Sequence, residues 1–153
     1  MHMLKLKIPP PIYLLLVAGL MWLLDHLFPI INLISDPWNK LGFLPIIFAL
    51  FTDGMSLLQF FRVHTTINPI HPENTKQLVT TGTYRFTRNP MYVGLLFLLI
   101  GWTILLGSLS PILMLPVFIW IITIEQIIPE EKILEQKFGQ KYLDYKNSVN
   151  RWV

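Results

Sequence analysis

Four long apolar runs decide most of what this chain can become. They cover Ile12 to about Phe28, Leu41 to Phe61, Met91 to about Leu106, and Ile112 to Ile128. None alternates apolar with polar residues as a half-buried strand would, and none has the one-sided spacing of a helix on a soluble core. Continuous apolar blocks approaching the ~20 residues that cross a bilayer read as transmembrane helices, because a helix satisfies its own backbone in lipid. The remainder agrees: a chain of 153 residues that is 53% hydrophobic and 14% charged, with mean hydropathy +0.53, is too apolar for a soluble domain. Cysteine is absent, which excludes disulfides and thiol chemistry.

The connections set the topology. Gly107-Ser108-Leu109-Ser110-Pro111 is too tight for anything but an antiparallel helical hairpin. Its two helices are short, at ~24–27 Å by helical rise. A basic lead with Lys5 and Lys7 precedes the first run, and no small-residue cleavage site follows Phe28, so that run is expected to remain a span. Asn32 to Lys40 is a loop with an interfacial Trp38. Arg62 to Asn89 is a long polar connection. Pro129 is expected to end the fourth span, after which Glu130 to Lys146 reads as an amphipathic helix with Leu134, Phe138, Tyr142, Tyr145 and Val149 on one stripe. Lys and Arg gather in the lead, the long loop and the C-terminal segment, so the positive-inside rule puts both termini and that loop in the cytoplasm. The net charge of +3 is therefore read as topology, with no nucleic-acid partner.

The expected fold is an all-α integral membrane protein, one domain over 1–153 with about four transmembrane helices. The spans are about 12–28, 41–61, 91–106 and 112–128, followed by a cytoplasmic C-terminal helix, 129–146. There is no Rossmann domain. A Walker loop, a nucleophile elbow and a Gly-x-Gly-x-x-Gly turn are all missing. The four histidines lack metal-ligand spacing; His64 and His71 flank Asn68-Pro69 in a loop, so no metal site is expected. Polar residues at membrane depth (Asp25 and His26; Asp53 with Ser56 and Gln59; Glu125 and Gln126) are expected to bond inside the bundle.

Chemistry is expected where the polar loop meets the third span. Asn89-Pro90 reads as an N-cap followed by proline at the first helical position. Arg85, Arg88, Tyr84 and Tyr92 converge on that helix start, where free N–H groups suit an anionic or zwitterionic ligand. Glu130-Glu131 either complement a helix dipole or turn one carboxylate to a ligand cleft.

These residues also carry a resemblance. Leu78-Val79-Thr80-Thr81-Gly82-Thr83-Tyr84, Arg88-Asn89-Pro90-Met91-Tyr92-Val93-Gly94, Pro129-Glu130-Glu131, and Phe138-Gly139 with Tyr142, Tyr145 and Arg151 occur in the order seen in isoprenylcysteine carboxyl methyltransferases. The chain resembles that family, within the membrane methyltransferases that include phospholipid methyltransferases. The resemblance implies an S-adenosylmethionine-dependent methyltransferase acting on a lipophilic acceptor at the cytoplasmic interface, with carboxylate O-methylation placed first. The acceptor would be a lipophilic small molecule or a lipid-modified substrate, among membrane lipids. It implies cofactor contacts from Gln77, Leu78, Val79, Tyr84, Asn89, Pro90, Met91, Tyr92 and Glu130, in a cofactor loop spanning 62–90. Two departures bear on the acceptor: Asn89 stands where the prenylcysteine enzymes have His, and Gln126 stands at a substrate-contacting Arg. Gln126 and Arg85 are therefore expected at the substrate, with Arg151 or Arg85 supplying the lost cation. Glu131 and Arg151 are the expected catalytic residues, and Glu131 and Asp53 are the candidates for a base if the acceptor needs one. An amine or phospholipid N-methyltransferase, a sterol-reductase-like oxidoreductase using NADPH, and a non-enzymatic membrane protein remain as alternatives.

Overall fold

A computed structural model of the chain describes residues 8–62 and 74–153. Lys5, Lys7, His64 and His71, along with the adjoining part of the expected 62–90 loop, lie outside the described residues. The described residues are helical, and their one extended pairing is an isolated bridge between Asn32 and Ser108.

Helix α1 covers Pro10–Leu27, α2 Phe43–Arg62 and α3 Pro90–Leu106. The fourth apolar run is helical throughout. It opens with a 3₁₀ turn at Ser110–Leu113, continues as α4 (Met114–Ile122), passes through a π turn at Thr123–Ile127, and carries on as α5 (Ile128–Phe138). Helix α6 is Gln140–Ser148. Pro10–Leu27, Trp38–Gln59 and Ser110–Phe138 are long and apolar enough to cross a membrane, and α3 is a shorter apolar helix of 17 residues. In the three long segments only 17%, 17% and 28% of the most apolar window is buried inside the protein. Side chains such as Leu15, Leu16, Leu50 and Phe51 therefore face outward, which lipid tolerates and water does not. This is an all-α membrane protein.

The helices alternate in direction. On one side of the bundle, Ser110 Oγ donates to Leu24 O at 3.5 Å, Asn39 Nδ2 to Leu105 O at 3.4 Å, and Leu33 N to Gly107 O at 2.8 Å. On the other side, Gln126 Nε2 donates to Ile8 O at 2.8 Å, Ser56 Oγ meets Thr83 Oγ1 at 3.0 Å, and Arg88 N donates to Asn150 O at 2.9 Å. The start of α1, the end of α2, the described part of the polar loop and the C-terminal tail thus gather on one side. The core between α1, α3 and the fourth helical run is Val17, Met21, Tyr92, Leu99, Phe118, Ile122 and Ile127. The 3₁₀ turn Trp38–Gly42 that leads into α2 approaches α3 closely at Gly42 and Gly101, where a Cβ on either would overlap the other's carbonyl oxygen. In lipid, packing of small residues substitutes for the hydrophobic drive that water supplies.

Three local expectations change. Pro129 does not end the fourth helix. It follows the π turn, whose wider i→i+5 spacing already leaves the usual hydrogen-bond ladder, so the missing proline N–H interrupts little. The C-terminal helix is two helices, because Gly139 adopts φ +53 and ψ −129, a backbone state that disfavours other residues. The stripe survives that break: Leu134, Phe138, Tyr142, Tyr145 and Val149 pack together on Leu78, Val79 and Tyr84. Finally, α3 begins at Pro90 after Asn89, yet the Asn89 side chain makes no capping bond; its Nδ2 donates to Arg151 O.

Candidate active site

A cavity of about 390 Å³ opens on the side where loop and tail meet. Ligand pockets generally span about 300–1,000 Å³ and combine an apolar lining with a few convergent polar groups. Here the apolar wall comes from Leu78, Val79, Met91, Leu95, Leu134 and the Pro9–Pro11 start of α1; the polar groups are Asp53, Gln77, Tyr84, Arg88, Asn89, Tyr92, Glu130 and Glu131.

The two adjacent glutamates face different partners. Glu130, half-buried, accepts a bond from Tyr92 OH at 3.1 Å. Glu131 is buried and shared by two arginines: Arg151 Nε and Nη2 donate to its two oxygens at 2.9 and 2.8 Å, and Arg88 Nη1 lies 3.1 Å from Oε1. A planar guanidinium matches a carboxylate in this two-pronged way, and a lysine would not. Glu131 holds the Arg151 guanidinium in its charged form and raises its pKa further, against the opposing effect of burial.

The tail is stitched to the turn before α3. Asn89 Nδ2 and Thr87 Oγ1 both donate to Arg151 O, at 2.9 and 3.1 Å, and the Asn89 N–H donates to Thr87 Oγ1 at 3.1 Å. Tyr145 OH donates to Tyr84 O at 2.7 Å, tying α6 to the loop. Burial, followed by the charge of Glu130, pushes the Tyr84 phenol well above its ordinary range. Burial likewise raises Tyr145, and it raises Tyr142 to about 12, with Glu131 adding to the shift and Arg88 opposing it. All three are neutral phenols near pH 7.

Of the residues expected from sequence, Gln77, Leu78, Val79, Tyr84, Asn89, Met91, Tyr92, Glu130 and Glu131 line this one cavity. Pro90 is buried at the first position of α3 beside it. Arg151 reaches the site through Glu131. Two expected substrate residues lie elsewhere. Gln126, fully buried on the π turn, turns to the start of α1, and Arg85 is exposed at the end of a 3₁₀ turn. Arg88, expected at the start of α3, also lines the cavity, and so do Leu134, Tyr142 and Tyr145, which the spacing placed only on an amphipathic stripe. Arg88's position immediately before Asn89-Pro90 and the stripe of α5 and α6 were the available signals. Among the described residues no group of three His, Cys, Asp or Glu could hold a metal ion.

Comparison with known proteins follows the same residues. The phospholipid methyltransferase family model matches residues 38–141. Protein-S-isoprenylcysteine O-methyltransferase A of Arabidopsis thaliana is 31% identical over 137 residues, covering 87% of this chain and 70% of that protein. Protein-S-isoprenylcysteine O-methyltransferase of Saccharomyces cerevisiae is 32% identical over 109 residues, 71% of this chain and 46% of its own length. An uncharacterized protein of Haemophilus influenzae is 44% identical over 63 residues, 41% of this chain and all of that protein. No solved structure gives a significant match.

Proposed function

The chain belongs to the phospholipid methyltransferase family, and on that premise we propose that it moves a methyl group from S-adenosylmethionine to a lipophilic acceptor at the cytoplasmic rim of the membrane. One observation supports this most: Tyr84, Asn89, Tyr92 and Glu130, from three separate stretches of chain, wall one cavity of about 390 Å³. Its mixed lining suits a molecule that is polar at one end and partly apolar elsewhere. When bound, S-adenosylmethionine supplies an electrophilic methyl group on a sulfonium.

The residues divide the work. The first N–H groups of α3 have no intrahelical partner, and together with Arg88 they form the positive end of the cavity, suited to a carboxylate. Glu130, oriented by Tyr92, accepts hydrogen bonds from an ammonium or a ribose hydroxyl. Leu78, Val79 and Leu134 exclude water, which favours displacement over side reactions. The Asn89 amide is committed to Arg151 O and Glu131 to both arginines. These groups therefore hold the tail in place over the cavity, and Glu131 acts as a positioning residue. A carboxylate acceptor is already nucleophilic and needs alignment only, so carboxylate O-methylation remains first. Pro9–Pro11 and Leu95 belong to helices whose outer faces meet lipid, giving an apolar acceptor a sideways route. Both described ends of the chain lie on the cavity side, which the positive-inside rule assigns to the cytoplasm.

The test is equilibrium binding of labelled S-adenosylmethionine to the purified full chain in nanodiscs, with NADPH as the competing candidate. Saturable binding with thermal stabilisation, and none from NADPH, is expected. Stabilisation by NADPH alone would replace this reading with an oxidoreductase.

A further inference from the structure

We propose that Asp53 is a further cation-binding residue of this cavity, beside Glu130, its carboxylate seated in a notch of α3 and holding an ammonium or sulfonium group of the occupant. The inference rests on the methyl-transfer reading, which supplies the cationic candidates.

Asp53 lies within the apolar helix α2, on a polar face shared with Ser56 and Gln59. Those two neighbours are satisfied inside the protein: Ser56 Oγ donates to Thr52 O at 2.8 Å, and the Gln59 amide lies 3.1 Å from Thr83 Oγ1. Asp53 is different. Its Oδ1 is buried with no hydrogen-bond partner, and its carboxylate has no ion-pair partner among the described residues. The cationic side chain of the described cavity wall, Arg88, lies 3.1 Å from Glu131 instead. Acids at membrane depth are costly unless something compensates them, and the compensating group is generally part of the function.

The fold makes room for this carboxylate deliberately. A Cβ at Gly94 would overlap the Asp53 carboxyl group, so a larger residue at that position of α3 would displace it. Asp53 lines the same cavity as Tyr84, Tyr92 and Glu130. With Glu130 on α5 already accepting the Tyr92 hydroxyl, Asp53 on α2 adds a second acidic side chain to this cavity. A carboxylate would be repelled there and a cation attracted. Two cations fit the reaction: the sulfonium or ammonium of the methyl donor, or the amine of an acceptor.

Asp53→Asn in the full chain in nanodiscs keeps the side chain's shape and removes its charge. Calorimetric Kd values for S-adenosylmethionine and for S-adenosylhomocysteine (ammonium present, sulfur neutral) are compared with wild type. Thermal stabilisation by dodecylamine is compared with that by dodecanol. A tenfold or greater rise in Kd for S-adenosylmethionine alone assigns the sulfonium, and an equal rise for both assigns the donor's ammonium. Unchanged Kd values with loss of the dodecylamine preference assign the acceptor's amine. Gly94→Ala, which fills the notch, is expected to reproduce whichever loss is seen, and unfolding curves show whether each variant is folded. If all three ligands stay within about twofold of wild type in folded Asp53→Asn, the inference is wrong. If wild type binds neither adenosyl compound, the methyl-transfer reading falls, and the dodecylamine comparison still decides on Asp53.

Discussion

Glu131 is the point at which the tail is fastened to the bundle, and its removal should cost more than removal of either arginine it holds. Its carboxylate is 7% exposed and makes three close contacts, two with Arg151 and one with Arg88, whose own side chain is 8% exposed. In Glu131→Ala a buried guanidinium loses its acidic partner and the tail loses its two-pronged tether. Breaking a buried pair from one side costs about 3–5 kcal/mol, mostly from the uncompensated charge left behind. Arg151→Ala leaves Glu131 paired with Arg88, and the Arg151 side chain is 35% exposed, so solvent screens part of what is lost. Its cost should be about 1–2 kcal/mol. Thermal unfolding in nanodiscs, at about 2–4 °C per kcal/mol for a chain this long, should show a fall of roughly 6–20 °C for Glu131→Ala and a few degrees for Arg151→Ala. Equal falls, or a larger one for Arg151→Ala, would refute the shared-anchor reasoning. The double variant Glu131→Leu/Arg88→Met should recover much of the loss, because it removes the stranded charge together with its partner.

Glu130→Ala should leave the unfolding temperature nearly unchanged and weaken S-adenosylmethionine binding by roughly tenfold, the scale of one charge-assisted hydrogen bond; calorimetry with unchanged affinity would exclude Glu130 from the site. Tyr92→Phe should weaken binding less, since it removes the orienting hydroxyl and leaves the carboxylate. Gly101→Leu should drive α2 and α3 apart at the Gly42 carbonyl, with an overpacking cost of at least about 1–3 kcal/mol, visible as a lower unfolding temperature. Tyr142 supplies a pH dependence. Its phenol rises from the ordinary 10.0 to about 12 on folding, so the folded state binds the proton more tightly. That contribution is fully present below pH 10 and is lost as the pH climbs from 10 to about 12. Tyr142→Phe should flatten that part of an unfolding-temperature profile measured at pH 8, 10 and 11.

Features set by local composition were readable in the sequence. The apolar runs had to become membrane helices because their length and continuity leave the backbone no other way to be satisfied in lipid. The stripe from Leu134 to Val149 was legible because helical spacing alone defines it, and it proves to be the surface on which Leu78, Val79 and Tyr84 pack. Gly139 after Phe138 was a stop signal of the kind that ends helices, and the even amphipathic pattern on both sides obscured it. The π turn had no such signature. Its widened spacing is what lets the helix run through Pro129, and it turns Gln126 to Ile8 O, a partner 118 residues away in sequence. Asn89 looked like a cap by local spacing, yet its amide bonds to Arg151 O, 62 residues distant. The division of labour between Glu130 and Glu131 was equally hidden. Consecutive helical residues point about 100° apart, and only the arrival of the tail fixes which of them meets the arginines. Asp53 was visible as a polar residue in a span, and the glycine that accommodates it lies on another helix.

The central claim is that the polar loop, the start of α3 and the tail helices form one site for an adenosyl sulfonium. The most direct measurement is the electron density of the purified chain crystallised with S-adenosylhomocysteine. The account predicts the ligand between Tyr84, Tyr92 and Glu130, beneath the tail held by Glu131. Density for the ligand outside this cavity, or on the opposite side of the bundle beside Gly107, would contradict it.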